Sequence, residues 1–263
     1  MKNILEEIYQ HKILEVRNRK KQLSTQQICA QIKCSENKPQ DFFAILKSKS
    51  ESELPALICE IKKASPSHGL IRQDFNPIEI AKIYQNNGAA AISVLTDEKY
   101  FQGSNQYLQD VRVNTTLPIL RKEFMLDVYQ VYEAKMLGAD CILLIVAMLD
   151  DDKLIELEQA AIDSGLSVLV EIHNEQELQR ASKLKSKMIG INNRDLKTLK
   201  VDLETSLFLA EQIPSDYLTI SESGIKDKLD IALLQQAGIN CFLIGESLMK
   251  EKDIVKALQE LQK

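Results

Sequence analysis

The amino-acid sequence predicts one α/β unit, a closed (β/α)8 TIM barrel carrying an N-terminal helical extension. Three observations predict it: eight strand-length apolar runs, helical spacing between them, and a length of 263 residues. One such barrel needs about 250 residues. The runs cover residues 57–61, 90–95, 118–120, 141–146, 167–172, 188–192, 217–221 and 241–245. Most are rich in Ile, Leu and Val, as parallel strands buried on both faces are. An open doubly wound sheet would use the same alternation, but eight units in this length fit the closed barrel better.

The segments between the runs have the period of helices. In Pro77-Ile78-Glu79-Ile80-Ala81-Lys82-Ile83-Tyr84, residues Ile80, Ile83 and Tyr84 share one face. Asp127 caps a helix that holds Val128, Val131, Tyr132, Ala134 and Lys135, and Gly138 ends it just before the next run. Gly88, Gly165 and Gly238 occupy the equivalent place, after a helix and before a strand. Residues 1–50 lie outside this pattern and read as two or three helices, one of them near Asp41–Leu46, packed on the barrel of residues 51–263.

Composition narrows the function. A net charge of −5 and a pI near 5.4 argue against nucleic acid as the main partner, because phosphate backbones need a basic face. No apolar run approaches the roughly 20 residues of a membrane span, and the N-terminus has no secretory core. The cysteines, Cys29, Cys34, Cys59, Cys141 and Cys241, form no C-x-x-C pair, and three fall in strand runs. They read as small buried thiols in a reducing cytoplasm, and no metal cluster is expected.

Chemistry in such barrels sits where the strands end. Run one ends Cys59-Glu60-Ile61-Lys62, with Glu60 and Lys62 on one face by strand alternation. Cys59 should point the other way, out of the barrel. Runs three, five, six and seven end in Arg121-Lys122-Glu123-Phe124, Glu171-Ile172, Asn192-Asn193-Arg194 and Glu222-Ser223-Gly224. One such charge is an ordinary solvated rim residue. A set of them must pair or bind something charged, because lone buried charges are expensive. Ser223-Gly224 and Gly245-Glu246-Ser247 put glycine where backbone amides can approach an anion, and Ser65 could add a hydroxyl. A plain helix cap by Ser247 explains the last turn equally well.

These stretches resemble the indole-3-glycerol phosphate synthase family. The match runs in order from Glu60-Ile61-Lys62-Lys63-Ala64-Ser65-Pro66-Ser67 through Ser93-Val94-Leu95-Thr96-Asp97, Tyr100-Phe101, Gly103-Ser104 and Leu120-Arg121-Lys122-Glu123-Phe124. It continues with Leu137-Gly138-Ala139-Asp140, Leu169-Val170-Glu171-Ile172-His173 and Ile189-Gly190-Ile191-Asn192-Asn193-Arg194-Asp195-Leu196. Ser221-Glu222-Ser223-Gly224-Ile225 and Phe242-Leu243-Ile244-Gly245-Glu246-Ser247-Leu248-Met249 complete it. Each motif is moderately specific; the ordered set is very specific. Lys63-Ala64 and Ser221 fall where the family itself varies.

The resemblance implies ring closure, decarboxylation and dehydration of 1-(2-carboxyphenylamino)-1-deoxyribulose 5-phosphate, in tryptophan biosynthesis, without cofactor or metal. It implies catalytic roles for Lys122 as proton donor, Glu171 as base, Lys62 on the substrate carboxylate and Glu60, Asn192 and Glu222 as orienting groups. The division of acid duty between Lys62 and Lys122 stays open. A lysine acid of this kind is expected to have a pKa lowered by burial or a like charge. Arg194 would steady the polar network. Phosphate would sit on Ser65, Ser223, Gly224, Gly245, Glu246 and Ser247. Phe101, Phe124, Leu143 and Leu196 would wall an apolar pocket, with Leu143 equally readable as core and the N-terminal helix as a lid.

The alternatives are a related barrel of the same pathway, phosphoribosylanthranilate isomerase or the tryptophan synthase α subunit, or a catalytically silent binding barrel. The isomerase would need a cysteine base at the end of strand one. The full set Glu60, Lys62, Lys122, Glu171, Asn192 and Glu222 argues against a silent barrel. With the last helix ending near Lys263, no fused isomerase domain is expected, and the protein is expected to be a cytoplasmic monomer or weak homodimer.

Overall fold

Eight parallel strands close into a barrel in the computed structural model, which describes residues 4–35, 38–52, 54–196 and 198–263. Residues 1–3, 36 and 37 of the expected extension lie outside the described residues. The strands are β1 (Ala56–Ile61), β2 (Ala91–Leu95), β3 (Ile119–Lys122), β4 (Cys141–Ile145), β5 (Ser167–Ile172), β6 (Met188–Asn192), β7 (Leu218–Glu222) and β8 (Cys241–Ile244). Each pairs with its sequence neighbours, and β8 closes onto β1 through Ala56↔Cys241 to Cys59↔Ile244. A helix follows each strand, which is what right-handed crossovers between parallel neighbours require.

Strand alternation divides the core in two. Leu57, Cys59 and Ile61 face outward and pack with Ile80 and Tyr84 of the helix Pro77–Asn86. Ala56 and Ile58 face inward, in the cluster that fills the barrel with Leu120, Leu169, Ile220 and Leu243. Cys59 therefore lies in the outer layer, as expected. Asp127 caps its helix with a capping box, and Gly138 ends it at φ 94. Gly88, Gly165 and Gly238 likewise adopt positive φ, between 75 and 84.

Two expectations need correction. Run three was read as ending at Leu120, but the strand continues through Lys122, where Val94 and Leu95 pair with Arg121 and Lys122. Charge hid this: Arg121 is fully buried, and it is tolerated because Glu133 pairs with it and Thr96, Asn105 and Gln130 accept its other donors. Not all the thiols are buried. Cys59, Cys141 and Cys241 are, but Cys29 is half-buried and Cys34 exposed, because both lie on a helix that turns only Ile28 fully inward.

The extension consists of α1 (Ile4–Gln22), α2 (Thr25–Cys34) and α3 (Phe42–Ser50). In α3, Asp41 caps the first turn, and Phe42 and Leu46 join the barrel-filling cluster beside Ala56, Ala91, Met188 and Leu218, the residues at which strands begin. So α3 closes the floor. Helix α1 instead runs along the opposite rim. Its Lys12 is fully buried among Glu15 at 2.9 Å, Asp97 at 2.9 Å and Glu123 at 3.0 Å. Arg19 adds Glu133 at 3.0 Å, and Lys20 adds Asp127 at 2.7 Å.

Removing one partner from a buried charge cluster costs more than the cluster contributes, because the remaining charges stay buried. Lys12→Met should therefore lower stability in urea by about 3–5 kcal/mol. A change within about 0.5 kcal/mol, the range of ordinary surface substitutions, would show that α1 is not held by this charge.

Candidate functional site

The C-terminal ends of the strands open into a cleft of about 1240 Å³. All of the candidate residues line it, together with Ile4, Leu5 and Ile8 of α1. Barrel geometry explains the convergence. Ile58, Leu120, Leu169 and Ile220 point inward from β1, β3, β5 and β7. Two residues further along each strand come Glu60, Lys122, Glu171 and Glu222, so alternate strands supply one layer of four charged side chains over a layer of four apolar ones.

Lys122 is the hub of that layer. Its ammonium donates to Glu222 from one side and to Glu171 Oε2, at 3.3 Å, from the other. Lys62 pairs with Glu60 at 2.8 Å. Asn192 donates to Glu171 Oε1 at 3.2 Å and accepts the Arg194 backbone N–H at 3.0 Å. The carboxylates are almost wholly buried, at 4% exposure for Glu60, 2% for Glu171 and 1% for Glu222. Unpaired, they would not stay ionised.

Their surroundings push the two central carboxyls apart. Burial raises Glu222, and the negative charges of Glu171 and Glu60 raise it further, against the pull of Lys122. Burial would raise Glu171 as well, but the Lys122 ammonium, with His173 and Asn192, holds it below the usual carboxylate range. Lys122 departs from expectation. Burial acts to lower its pKa, yet Glu222, Glu171 and Glu60 overrule burial and hold it well above the ordinary lysine value. The sequence argument weighed burial and like charge; the number of opposing carboxylates decides it.

The anion-binding end differs in detail from expectation too. Ser223 and Gly224 both adopt left-handed φ, 66 and 85, so the chain turns sharply as it leaves β7. Ser247 does not cap the short helix Glu246–Met249: its hydroxyl donates to the Ile225 carbonyl at 2.9 Å and ties that helix to the preceding loop. Ser65 lies 3.3 Å from the Ser67 hydroxyl. Glu246 pairs with Lys250 at 2.5 Å and Arg194 at 3.4 Å, and the His68 ring lies 3.1 Å away. The Arg194 guanidinium therefore reaches this end of the cleft, while its backbone N–H meets the Lys122 layer through Asn192. Phe101 and Phe124 pack with their ring centroids 6.1 Å apart, and Leu143, 1% exposed, belongs to the barrel-filling cluster against which Phe124 packs. Among the described residues, no group of His, Cys, Asp and Glu could hold a metal ion.

Sequence reasoning missed three contributors. Lys12 was one charge in a polar helix, with no local signal that it was buried. His173 was read only as part of a motif, yet it lies 3.4 Å from Glu171. Gly190 was legible in principle, as a glycine inside a strand marks a close approach. A Cβ there would collide with Glu222 Oε1 and stand 3.3 Å from Leu169. Gly245 gives similar room to Glu60, whose Oε1 would be 2.5 Å from an added Cβ.

Comparison with known proteins agrees along the whole chain. The family model described as indole-3-glycerol phosphate synthase matches residues 5–261. The protein of that name from Legionella pneumophila (strain Paris) is 51% identical over 261 residues, covering 99% of both chains. The one from Polaromonas sp. is 50% identical over 221 residues, 84% of each chain. The one from Zymomonas mobilis subsp. pomaceae is 46% identical over 261 residues, 99% of this chain and 98% of its own. Among solved structures, a 3-hexulose-6-phosphate synthase superposes with a TM-score of 0.64 at 17% identity, covering 78% of this chain and 97% of its own. That likeness concerns the fold alone.

The close approach at Gly190 has a measurable consequence. Gly190→Ala should cost about 1–3 kcal/mol by overpacking, and distinctly less when Glu222→Ala has already removed the obstructing carboxyl. A double-mutant cycle in urea reads this coupling. Strictly additive effects would mean that Gly190 does not make room for Glu222.

Proposed function

The chain belongs to the indole-3-glycerol phosphate synthase family, and we propose that it performs that family's chemistry with Lys122 as proton donor and Glu171 as base. The enzyme is a decarboxylating carbon–carbon lyase of tryptophan biosynthesis. It converts 1-(2-carboxyphenylamino)-1-deoxyribulose 5-phosphate to indole-3-glycerol phosphate, carbon dioxide and water. One observation supports the assignment of roles above the others: the half-buried Lys122 ammonium pairs with Glu171, the surrounding carboxylates holding the lysine protonated while it holds Glu171 ionised, so the proton affinities of the two groups are driven in opposite directions. Such separation is how one site supplies both an acid and a base.

The steps follow from these groups. The aromatic carbon that bears the carboxylate attacks the ketone carbon, and negative charge develops on the ketone oxygen. Lys122 donates to that oxygen. Its high proton affinity keeps it charged and ready, and an alkoxide is more basic still, so the transfer runs toward the substrate. Loss of carbon dioxide removes the carboxylate from the new ring carbon. Glu171 then takes a ring proton as the hydroxyl leaves as water, protonated by a lysine. Lys62, paired with Glu60 at 2.8 Å, stands where it can hold the substrate carboxylate or share that second donation.

Ser65, the turn at Ser223-Gly224 and the loop Gly245-Glu246-Ser247 take the phosphate, with Arg194 nearby. Phe101, Phe124, Leu143 and Leu196 enclose the aromatic ring and hold the carboxylate out of its plane, while Asn192 and Glu222 orient the ribulose hydroxyls. Helix α1 lines the cleft with Ile4, Leu5 and Ile8, which supports its reading as a lid. We place residues 1–50 as an extension of a barrel domain of residues 51–263, and the protein in the cytoplasm as a monomer or weak homodimer. No helix among the described residues is long and apolar enough to cross a membrane.

Incubation with the carboxyphenylamino substrate should generate indole fluorescence. Lys122→Ala and Glu171→Gln should each reduce turnover by about 10²–10⁴-fold, the usual contribution of a positioned acid or base, with the fold retained by circular dichroism. Near-normal turnover in either variant would remove the role assigned to that residue.

A further inference from the structure

The base proposed above has a second cation beside it that the reaction scheme does not use. β5 ends at Ile172, and His173 follows directly, on the same side of the strand as Glu171 by alternation. Its imidazole Nε2 lies 3.4 Å from Glu171 Oε1, close enough for an ion pair though not aligned as a hydrogen bond. Its Nδ1 lies 3.0 Å from Glu177 Oε2.

Glu177 is itself fixed. It stands in the first turn of the helix Glu175–Ala181, whose cap Asn174 accepts the Glu177 backbone N–H at 2.9 Å. The Asn174 side chain donates back to Glu177 Oε1 at 2.8 Å, and the His173 backbone N–H donates to Glu177 Oε2 at 2.8 Å. Strand end, cap and first turn thus lock the ring in place, with its side chain only 10% exposed. Burial acts against the charged form, but the two carboxylates outweigh it and push the His173 pKa up to about 10. At neutral pH the ring is an imidazolium.

We propose that His173 is a positioning residue for Glu171: a fixed cation, braced by Glu177, that keeps the base ionised and oriented when Lys122 turns to the substrate. The inference rests on the assignment of Glu171 as base. The groups facing Glu171 are Lys122 from β3, Asn192 from β6, Glu222 from β7 and His173 on its own chain, with Glu60 acting on the same layer through Lys122. Only Lys122 and His173 among these are cations. Lys122 engages Oε2, whereas His173 and Asn192 face Oε1. When Lys122 donates to the ketone oxygen, Glu171 stays buried and loses its main counter-charge. A buried carboxylate left that way takes up a proton and stops being a base. His173 has no such conflict, because its partners are protein groups throughout the cycle.

A purely structural role, stapling β5 to the next helix, predicts something different. It would lower stability and leave the pH dependence of folded enzyme unchanged. The test is therefore kcat, KM and the pH profile of kcat, which reports the substrate-bound enzyme, for full-length His173→Gln and Glu177→Gln, beside urea stability. His173→Gln should lower kcat at least about tenfold, part of the roughly 10²–10⁴-fold available to a general base. KM should stay within about twofold. The acidic limb should move to higher pH by about one unit, since loss of a neighbouring cation raises a carboxyl pKa. Glu177→Gln, which keeps the ring, should move the limb the same way by less, and it reads the effect if His173→Gln does not fold.

Folded His173→Gln with the parent kcat and an unmoved acidic limb overturns the proposal. Glu171→Gln separates the two readings. If it is inactive while His173→Gln is normal, only the positioning role fails; if it is active, the assignment of the base fails.

Discussion

The ammonium of Lys122, shared between Glu171 and Glu222, is the constraint around which the catalytic end of the barrel is organised. Three almost fully buried carboxylates, Glu60, Glu171 and Glu222, meet in one layer with two lysines. Taking such charges out of water costs several kcal/mol per ion unless each finds a partner. The layer is therefore possible only because the barrel brings β1, β3, β5 and β7 to the same height, with the Lys122 ammonium reaching between Glu171 and Glu222 and Lys62 pairing with Glu60. The apolar layer below, Ile58, Leu120, Leu169 and Ile220, excludes water and strengthens every interaction above it. Gly190 and Gly245 leave the room that the carboxyls need.

A second charge cluster supports the first from outside the barrel. Lys12, Asp97 and Glu123 are fully or almost fully buried. Asp97 caps the short helix Glu98–Phe101, and Glu123 accepts both the Thr96 hydroxyl and the Phe124 backbone N–H. One lysine on α1 thus neutralises the loops after β2 and β3, which carry Phe101 and Phe124 into the cleft. The same helix presents Ile4, Leu5 and Ile8 to that cleft. Fixing α1 and shaping the apolar end of the site are one structural event.

The barrel was legible in the sequence because its signals are local. Apolar runs, caps such as Asp127 and terminal glycines such as Gly138 need no knowledge of distant contacts. The layer of charged strand ends was also legible, since each member stands a fixed two residues beyond an inward apolar residue. What escaped depends on contacts between segments far apart in the chain. Lys12 meets Glu123 from 111 positions away, and nothing near Lys12 marks it as buried. The direction of the Lys122 shift escaped for the same reason: burial can be guessed from one strand, but the carboxyls that override it arrive from β7, β5 and β1. That the Arg194 guanidinium turns to Glu246 escaped too, because that partner arrives 52 positions later, after β8.

Arg121-Lys122-Glu123 shows how far strand alternation alone can separate structure from chemistry. Three adjacent charges leave one strand end in different directions. Arg121 turns outward to Glu133 and is fully buried among helices. Lys122 turns into the barrel and meets Glu171 and Glu222. Glu123, past the strand, meets Lys12 of α1. The outer two are satisfied by protein groups alone, so they hold the strand end still. The middle one is satisfied by groups that share the cleft with a substrate, so it is free to exchange partners. A rigid frame is what lets a single lysine change its partner without the strand following it. The same division recurs on β5, where Glu171 faces the cleft and His173, one step past the strand, is tied down by Glu177.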